Sequence, residues 1–355
     1  MKGLVLAGGQ GTRLRPLTYT SAKQLVPVAN KPVLFYGLEA LAEAGIREVG
    51  IIVGHTAQEI MEAVGDGSRW GLAVTYIPQD APRGLAHAVL IAEEFMAGEP
   101  FVMYLGDNLV KDGIVRFVEE FAQGGCNAQI LLAEVPNPSQ FGVAELGENG
   151  HVVRLEEKPA HPRSNLALVG VYLFDRHVFE AVKAIKPSKR GELEITDAIQ
   201  YLVDAGYVVR PHIITGWWKD TGKVEDMLEA NRMVLDSKER LVAGEVDGES
   251  RVEGKAIIEA GAVVRRSVVR GPCIVGPHAV VEDSFVGPYT AIGPRCRIAA
   301  CELENSIVLE GSRLEALPQR LEGCLIGKEV TVVRGNGRPQ ALRLVVGDHS
   351  RVEIP

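Results

Sequence analysis

The sequence predicts an α/β fold in two parts. A mostly parallel, helix-covered sheet spans residues 1–237, a connector spans 238–250, and a β-helix of short strands spans 251–355. Three observations predict this. In the first part, short continuous apolar runs alternate with amphipathic stretches of helical length, the pattern of strands covered by helices on both faces. After residue 250 the apolar period becomes six, which neither a helix nor a flat strand produces. Finally, 355 residues exceed one ordinary domain, and a 46% hydrophobic content can fill more than one core.

The elements follow in order. Gly3-Leu4-Val5-Leu6-Ala7 reads as a buried strand, as do Val49–Val53, Phe101–Leu105 and Ala128–Leu132, each bounded by turn-forming residues. Between them, Pro32–Ala44 reads as a helix with proline in its first turn and Gly45 beyond its end. Leu85–Met96 carries apolar residues at 85, 88, 89 and 92, a spacing near 3.6. Val224, Met227, Leu228, Val234 and Leu235 predict a helix within Thr221–Lys238. The charged, glycine-containing stretch that follows reads as the connector. Then Val268, Ile274, Val280, Val286, Ile292 and Ile298 recur every six residues, preceded by Ile257 and Val263. Gly-Pro pairs at 271–272, 276–277, 287–288 and 293–294 attend them. This predicts coils of short strands, with one aliphatic residue per side pointing inward and a tight corner between sides. The regularity decays after about Ser312.

Composition narrows the function. The chain has 38 Lys plus Arg against 46 Asp plus Glu, a net charge of −8 that argues against a nucleic-acid or membrane footprint. The longest apolar runs are too short to span a bilayer, and Met1-Lys2 leads straight into a strand, so neither a membrane helix nor a signal peptide is expected. Cys126, Cys273, Cys296, Cys301 and Cys324 are odd in number and form no CxxC pair. That suits neither a disulfide framework nor a thiolate zinc site, and the four in the last quarter read as small buried fillers in a reducing cytoplasm. His55, His87, His151, His161, His177 and His212 lack metal-ligand spacing and read as structural or surface residues. Trp217 and Trp218 read as packing residues.

The sharpest chemical signal is Leu6-Ala7-Gly8-Gly9-Gln10-Gly11-Thr12-Arg13-Leu14, followed by Lys23-Gln24. A strand runs into a glycine-dense loop whose bare backbone can approach an anion, and Arg13 and Lys23 add fixed positive charge. A GxxxxGK[ST] loop is absent, and a GxGxxG fingerprint fails because Leu14 stands where its third glycine belongs.

This segment closely resembles the signature of the sugar-phosphate nucleotidylyltransferases, and further motifs recur in that family's order. They are Gln79-Asp80-Ala81-Pro82-Arg83-Gly84, Leu105-Gly106-Asp107-Asn108, Phe141-Gly142-Val143, Glu156-Glu157-Lys158-Pro159, Arg190–Asp197 and Trp218-Lys219-Asp220-Thr221-Gly222. Within the family the match is nearest to glucose-1-phosphate thymidylyltransferases, and the hexad tail resembles that of longer members with an added left-handed β-helix. The resemblance implies a Rossmann-like nucleotidyltransferase domain. It also implies a nucleotide site of Leu6, Ala7, Gly8, Gly9, Gly11, Thr12, Arg13, Lys23, Gln24, Gln79 and Gly84. Gln79 would read a pyrimidine edge. Gly142, Glu157, Lys158, Asn165, Leu168 and Arg190 would bind the sugar phosphate, and Asp107 and Asp220 would hold Mg²⁺. Arg13, Lys23 and Asp107 would be catalytic.

The chemistry suits these residue types. A sugar-1-phosphate oxygen attacking an α-phosphorus is already ionised, so charge neutralisation and in-line geometry matter more than a general base. The expected substrates are glucose-1-phosphate with dTTP, the alternative being UTP with glucose-1-phosphate or N-acetylglucosamine-1-phosphate, since Gln79 can pair with either base. Acetyl transfer by the coil would call for a histidine base, and His278 is the one histidine in the clear hexad region. A non-catalytic regulatory role would be expected to lack the charged residues present here. The expected assembly is a homo-oligomer.

Overall fold

The structure, a computed structural model, describes residues 1–335 and Val352. The remainder of the coil expected up to residue 355 lies outside the described residues. By contact the chain gathers into two compact units: Met1–Gln10 with Val33–Asp220, and Gly11–Pro32 with Thr221–Pro355.

In the first unit the four strands Lys2–Leu6, Glu48–Val53, Ala73–Pro78 and Phe101–Leu105 run parallel. Lys2–Leu6 lies between Glu48–Val53 and Phe101–Leu105, pairing Gly3 with Val49 and Lys2 with Phe101. Leu4, Val5, Ile51, Phe101 and Met103 are fully buried, as runs apolar on both faces require. Leu166–Phe174 continues the sheet antiparallel to Phe101–Leu105, and Ala128–Glu134 pairs antiparallel with it in turn. Val209–Ile213 then runs parallel to Ala128–Glu134. The hairpin Gly142–Leu146 and Val152–Glu157 completes this sheet. The four parallel strands all deliver their following loops to one edge, where open α/β sheets bind ligands.

Two helices differ in detail from expectation. The first runs Val33–Glu43, and Pro32 ends a two-residue strand, Lys31–Pro32, paired with Pro27–Val28 in the second unit. Proline's fixed φ suits an extended residue ahead of a helix as well as a first-turn position. The expected helix 85–96 breaks into Leu85–Ile91 and Glu93–Met96. At the break, Ala92 adopts φ −88° and ψ 0°, and its N–H reaches Val89 with a tighter, i−3 hydrogen bond of 3.1 Å. The expected helix within 221–238 runs Val224–Asp236.

In the second unit, among the described residues, short strands form three parallel sheets of six, six and five strands, stacked as in a β-helix. The stack begins inside 238–250, where Leu241–Val242 and Glu245–Val246 pair with Ala256–Ile258 and Val263–Arg265. It continues past Ser312 to Thr331–Val333. Val264 stacks on Val281 and Val281 on Ile298, 17 residues apart each time, so one side of these coils is five residues long rather than six, while further on Ile298 stacks on Leu314 after 16 residues and Leu303 on Leu321 after 18. The strict six-residue count therefore drifts in phase. Of the residues picked out by that count, Val286, Ile292 and Ile298 are fully buried and Ile274 nearly so, whereas Val268 and Val280 are half-buried and their neighbours Val269 and Val281 are fully buried instead. Corners without glycine take left-handed geometry at Arg266, Asp283 and Ala300 (φ 44°, 49° and 51°).

Buried hydroxyls account for the polar groups at one corner. Ser250 Oγ accepts the Ser267 N–H, Ser267 Oγ the Ser284 N–H, and Ser284 Oγ the Cys301 N–H, at 3.0, 3.0 and 3.1 Å. Such a ladder satisfies backbone donors that the turn would otherwise orphan. The thiols of Cys273, Cys296 and Cys301 are free and buried in this unit, as the filler reading expects, whereas Cys324, read the same way, is only half-buried.

Candidate active site

The glycine turn leaves the end of Lys2–Leu6, with the Ala7 N–H held by the Ile52 carbonyl at 2.8 Å. A Cβ on Gly8 would stand 3.4 Å from Gln79 Oε1 and 3.5 Å from the Gly54 nitrogen, so the bare backbone lies beside the end of two neighbouring strands. Gln79 follows Ala73–Pro78, its N–H bonded to the Val53 carbonyl at 2.8 Å. Its Nε2 lies 3.0 Å from His87 Nδ1. Burial, then the Arg83 charge, pull the His87 pKa below the usual histidine value, so the ring is neutral at pH 7. Arg83 itself pairs with Asp80 at 2.6 Å.

Gly84 has a constraint the sequence did not reveal. At φ 103°, a Cβ there would stand 2.3 Å from the Leu193 carbonyl oxygen. The Ala86 N–H donates to that carbonyl, and the Leu193 N–H to the Arg83 carbonyl. Glycine thus welds the 79–84 loop to the 190–194 loop.

Strand pairing sets Asp220 opposite Asn108, the residue that follows Asp107. The Gly106 N–H reaches the Leu6 carbonyl at 3.0 Å, setting Asp107 beside the glycine turn's own strand. Trp218–Asp220 pairs antiparallel with Asn108–Val110, Asp220 opposite Asn108. Asn108 is the centre of this arrangement. Its Nδ2 donates to Asp107 Oδ1 at 2.9 Å, and its Oδ1 accepts from Trp218 Nε1 at 2.5 Å. Gly170 makes room for it, since a Cβ there would lie 2.6 Å from the Asn108 amide. Asp107 is 8% exposed and Asn108 2%. Trp218 also packs edge-on against Phe141, 5.2 Å between ring centres.

Around Glu157 a second cluster forms. Glu157 Oε1 faces Lys158 Nζ at 3.6 Å and Arg190 at 3.4 Å, and Oε2 accepts from Thr196 Oγ1 at 3.4 Å. Burial raises the Glu157 pKa above the usual value, and the buried Glu194 nearby adds to this while Lys158 and Arg190 oppose it. Gly142 is required here, because a Cβ would fall 2.6 Å from Thr196, 2.8 Å from Leu168 and 3.1 Å from Glu157. Arg190 faces three carboxylates, Glu157, Glu192 and Glu194, at 3.1 to 3.4 Å. Asn165, expected in the same group, is exposed, and its carbonyl accepts the Val135 N–H.

The remaining residues of the signature fall in the second unit. Gly11 sits at φ 62°, and a Cβ would lie 2.8 Å from Lys23 Cβ and 3.0 Å from Thr18, so its bareness lets the lysine stem pack over the turn. Thr12–Leu14 and Lys23–Leu25 are short 3₁₀ turns that leave Arg13 exposed and Gln24 buried. Asn108, His87, Glu194 and Thr196 carry these arrangements without having been singled out from the sequence. Asn108, Glu194 and Thr196 lay inside quoted motifs without being given a role, and a polar residue beside a strand-end carboxylate was the available signal for Asn108.

Comparison with known proteins agrees with this geometry. The chain is 56% identical to a glucose-1-phosphate thymidylyltransferase of Streptomyces griseus, across 100% of this chain and 99% of that one. It is 51% identical to the low-salt glycan biosynthesis nucleotidyltransferase Agl11 of Haloferax volcanii, across the full length of both. A Bacillus anthracis chain solved in complex with sucrose superposes with a TM-score of 0.62 at 38% identity, covering 66% of this chain and 94% of that one. The family profile described as nucleotidyl transferase matches residues 2–237. With a profile match over residues 2–237 and 56% identity along the full length of a relative, the chain belongs to the nucleotidyl transferase family.

Proposed function

We propose that the protein is a glucose-1-phosphate thymidylyltransferase, joining dTTP and glucose-1-phosphate into dTDP-glucose with release of pyrophosphate. The observation that supports this reading is the pairing of Asp220 with Asn108, the residue that follows Asp107 and donates to its Oδ1, just beyond the strand next to the glycine turn. Identity of 56% along the full length of a relative with that activity supports the substrate pair.

Asp107 and Asp220 offer oxygen donors only, which suits a hard cation that takes one or two carboxylates and completes its shell with water and phosphate. Among the described residues no group of three or more His, Cys, Asp or Glu competes as a metal site. We assign Mg²⁺ to this pair; when bound, it supplies charge neutralisation to the phosphates. Asn108 keeps Asp107 oriented by its hydrogen bond.

In the reaction, a phosphate oxygen of the sugar phosphate forms a bond to the α-phosphorus as the bond to the bridging β-phosphate oxygen breaks. The electron pair leaves with pyrophosphate. Bare backbone at Gly8, Gly9 and Gly11 lets N–H groups approach the triphosphate. Lys23 grips it, and Arg13 opposes charge developing toward the leaving group. Gln79 reads the base. Lys158 holds the sugar phosphate and Glu157 accepts from sugar hydroxyls. Arg190 arrives already opposed by three carboxylates and fixes Glu157 in place.

We further propose that residues 1–237 form the catalytic part and that the coil from residue 251 drives self-association. The described residues contain no helix long and apolar enough to cross a membrane, in keeping with a cytoplasmic site of action. The test is a matrix of four NTPs against several sugar-1-phosphates with Mg²⁺. Release of pyrophosphate and formation of dTDP-glucose, fastest from dTTP with glucose-1-phosphate, is expected. No release from any pair would end the enzyme reading.

A further inference from the structure

This inference rests on the reading of Gln79 as the base contact and goes one residue further. A glutamine side chain is two-faced: Oε1 accepts and Nε2 donates, and the face turned to a base decides which base fits. In this chain the choice is made by His87. Gln79 Nε2 is taken up by His87 Nδ1 at 3.0 Å, while Oε1 is turned toward Gly8, 3.4 Å from where a side chain on that glycine would begin. Because an amide nitrogen can only donate, Nδ1 must be the bare, accepting nitrogen, and the ring proton sits on Nε2. The neutral state of the half-buried ring fits this arrangement. Helix geometry fixes the partner: His87 lies in the first turn of Leu85–Ile91, whose start is tied through Ala86 to the Leu193 carbonyl.

We propose that His87 is a positioning residue for nucleotide selection, holding Gln79 so that its carbonyl oxygen faces the base and favours pyrimidines with an N3–H, thymine and uracil, over cytosine. An N3–H donates to Oε1, whereas the bare N3 of cytosine would meet it lone pair to lone pair. The discrimination lies in the unpaired polar contact that the wrong base creates.

The experiment compares dTTP and dCTP by kcat/KM, or by inhibition constant where dCTP is not turned over, in wild type, His87→Ala, His87→Gln and Gln79→Ala. His87→Ala should lower the preference for dTTP by about tenfold, the equivalent of one hydrogen bond, acting on nucleotide KM and leaving the KM for glucose-1-phosphate unchanged. His87→Gln, whose amide oxygen can accept from Gln79 Nε2, should restore the preference. Nitrogen-15 NMR of the wild type at pH 7.5 should find His87 Nδ1 unprotonated, a readout independent of any variant. If Gln79→Ala reduces the preference but His87→Ala does not, or if His87→Gln falls as far as His87→Ala, or if the proton sits on Nδ1, the role of His87 is overturned while the base contact stands. If Gln79→Ala leaves nucleotide KM and preference unchanged, the base contact itself is wrong, and His87 has nothing to position.

Discussion

Glu157 holds its charge against its surroundings, and that tension can be measured. Burial raises its pKa, so the stability linked to its proton is full below the unfolded value near 4.5 and is lost as pH rises through the raised folded value. Glu157→Gln removes a charge that burial disfavours. It should therefore stabilise the protein more at pH 8 than at pH 4.5 while raising the KM for glucose-1-phosphate. Equal stabilisation at both pH values, read from thermal midpoints, would refute the burial argument. Asn108 gives a second test. It fixes Asp107 at 2.9 Å, so Asn108→Ala should weaken Mg²⁺-dependent turnover by about 10–100-fold, as losses of such supporting groups do. A normal dependence on Mg²⁺ would rule that support out. The position of Asp107 just past a strand was legible because its motif is contiguous. The role of Asn108 was not, because its other partner, Trp218, lies 110 residues away in sequence. The same holds for Glu194, whose influence on Glu157 exists only once two loops meet.

At the level of elements, hydrophobic period located four strands and three helical stretches of residues 1–237, since period is a local property, while Ala73–Pro78, Leu166–Phe174 and Ile195–Asp204 were not picked out. The four strands expected at 3–7, 49–53, 101–105 and 128–132 appear within a residue or two of those bounds. What period could not give was phase in the coil. A side shortened to five residues moves the inward position by one, and a single-residue shift reverses which face a strand residue takes. Nor could it give the hydroxyl ladder, because a serine in a turn-rich sequence looks like any other turn serine. Ser284 is 8% exposed, accepts the Cys301 N–H and donates to the Glu282 carbonyl at 2.6 Å. Ser284→Ala leaves a buried donor without its acceptor, which should lower stability by about 1–3 kcal/mol. Urea unfolding followed by circular dichroism measures this, and an unchanged midpoint would mean that water replaces the hydroxyl.

For the whole molecule, contact cuts across sequence order. The rhythm of the sequence changes near residue 237, yet Gly11–Pro32 gathers with Thr221–Pro355. Asn231, fully buried on Val224–Asp236, accepts the Ala29 N–H at 2.9 Å and donates to the Tyr289 carbonyl at 2.8 Å. Asn30 donates to the Ile292 carbonyl at 2.8 Å. No local pattern announces such a bridge, because its three partners are scattered over 260 residues. A chain truncated after Asp236 lacks both carbonyls. It should lose nucleotide affinity, seen as a raised KM for dTTP, and should sediment at a lower oligomeric mass than the full chain. An unchanged mass would remove the assembly role of the coil, and an unchanged KM would remove the anchoring role.

The footing of residues 29 and 30 also bears on how the protein wears out. The stretch bearing Lys23 is moored to main-chain oxygens of the rungs, so warming that frays those rungs sets the lysine adrift as well. Heat inactivation should then keep pace with the melting of the tail, even while the sheet that carries the aspartates is still intact.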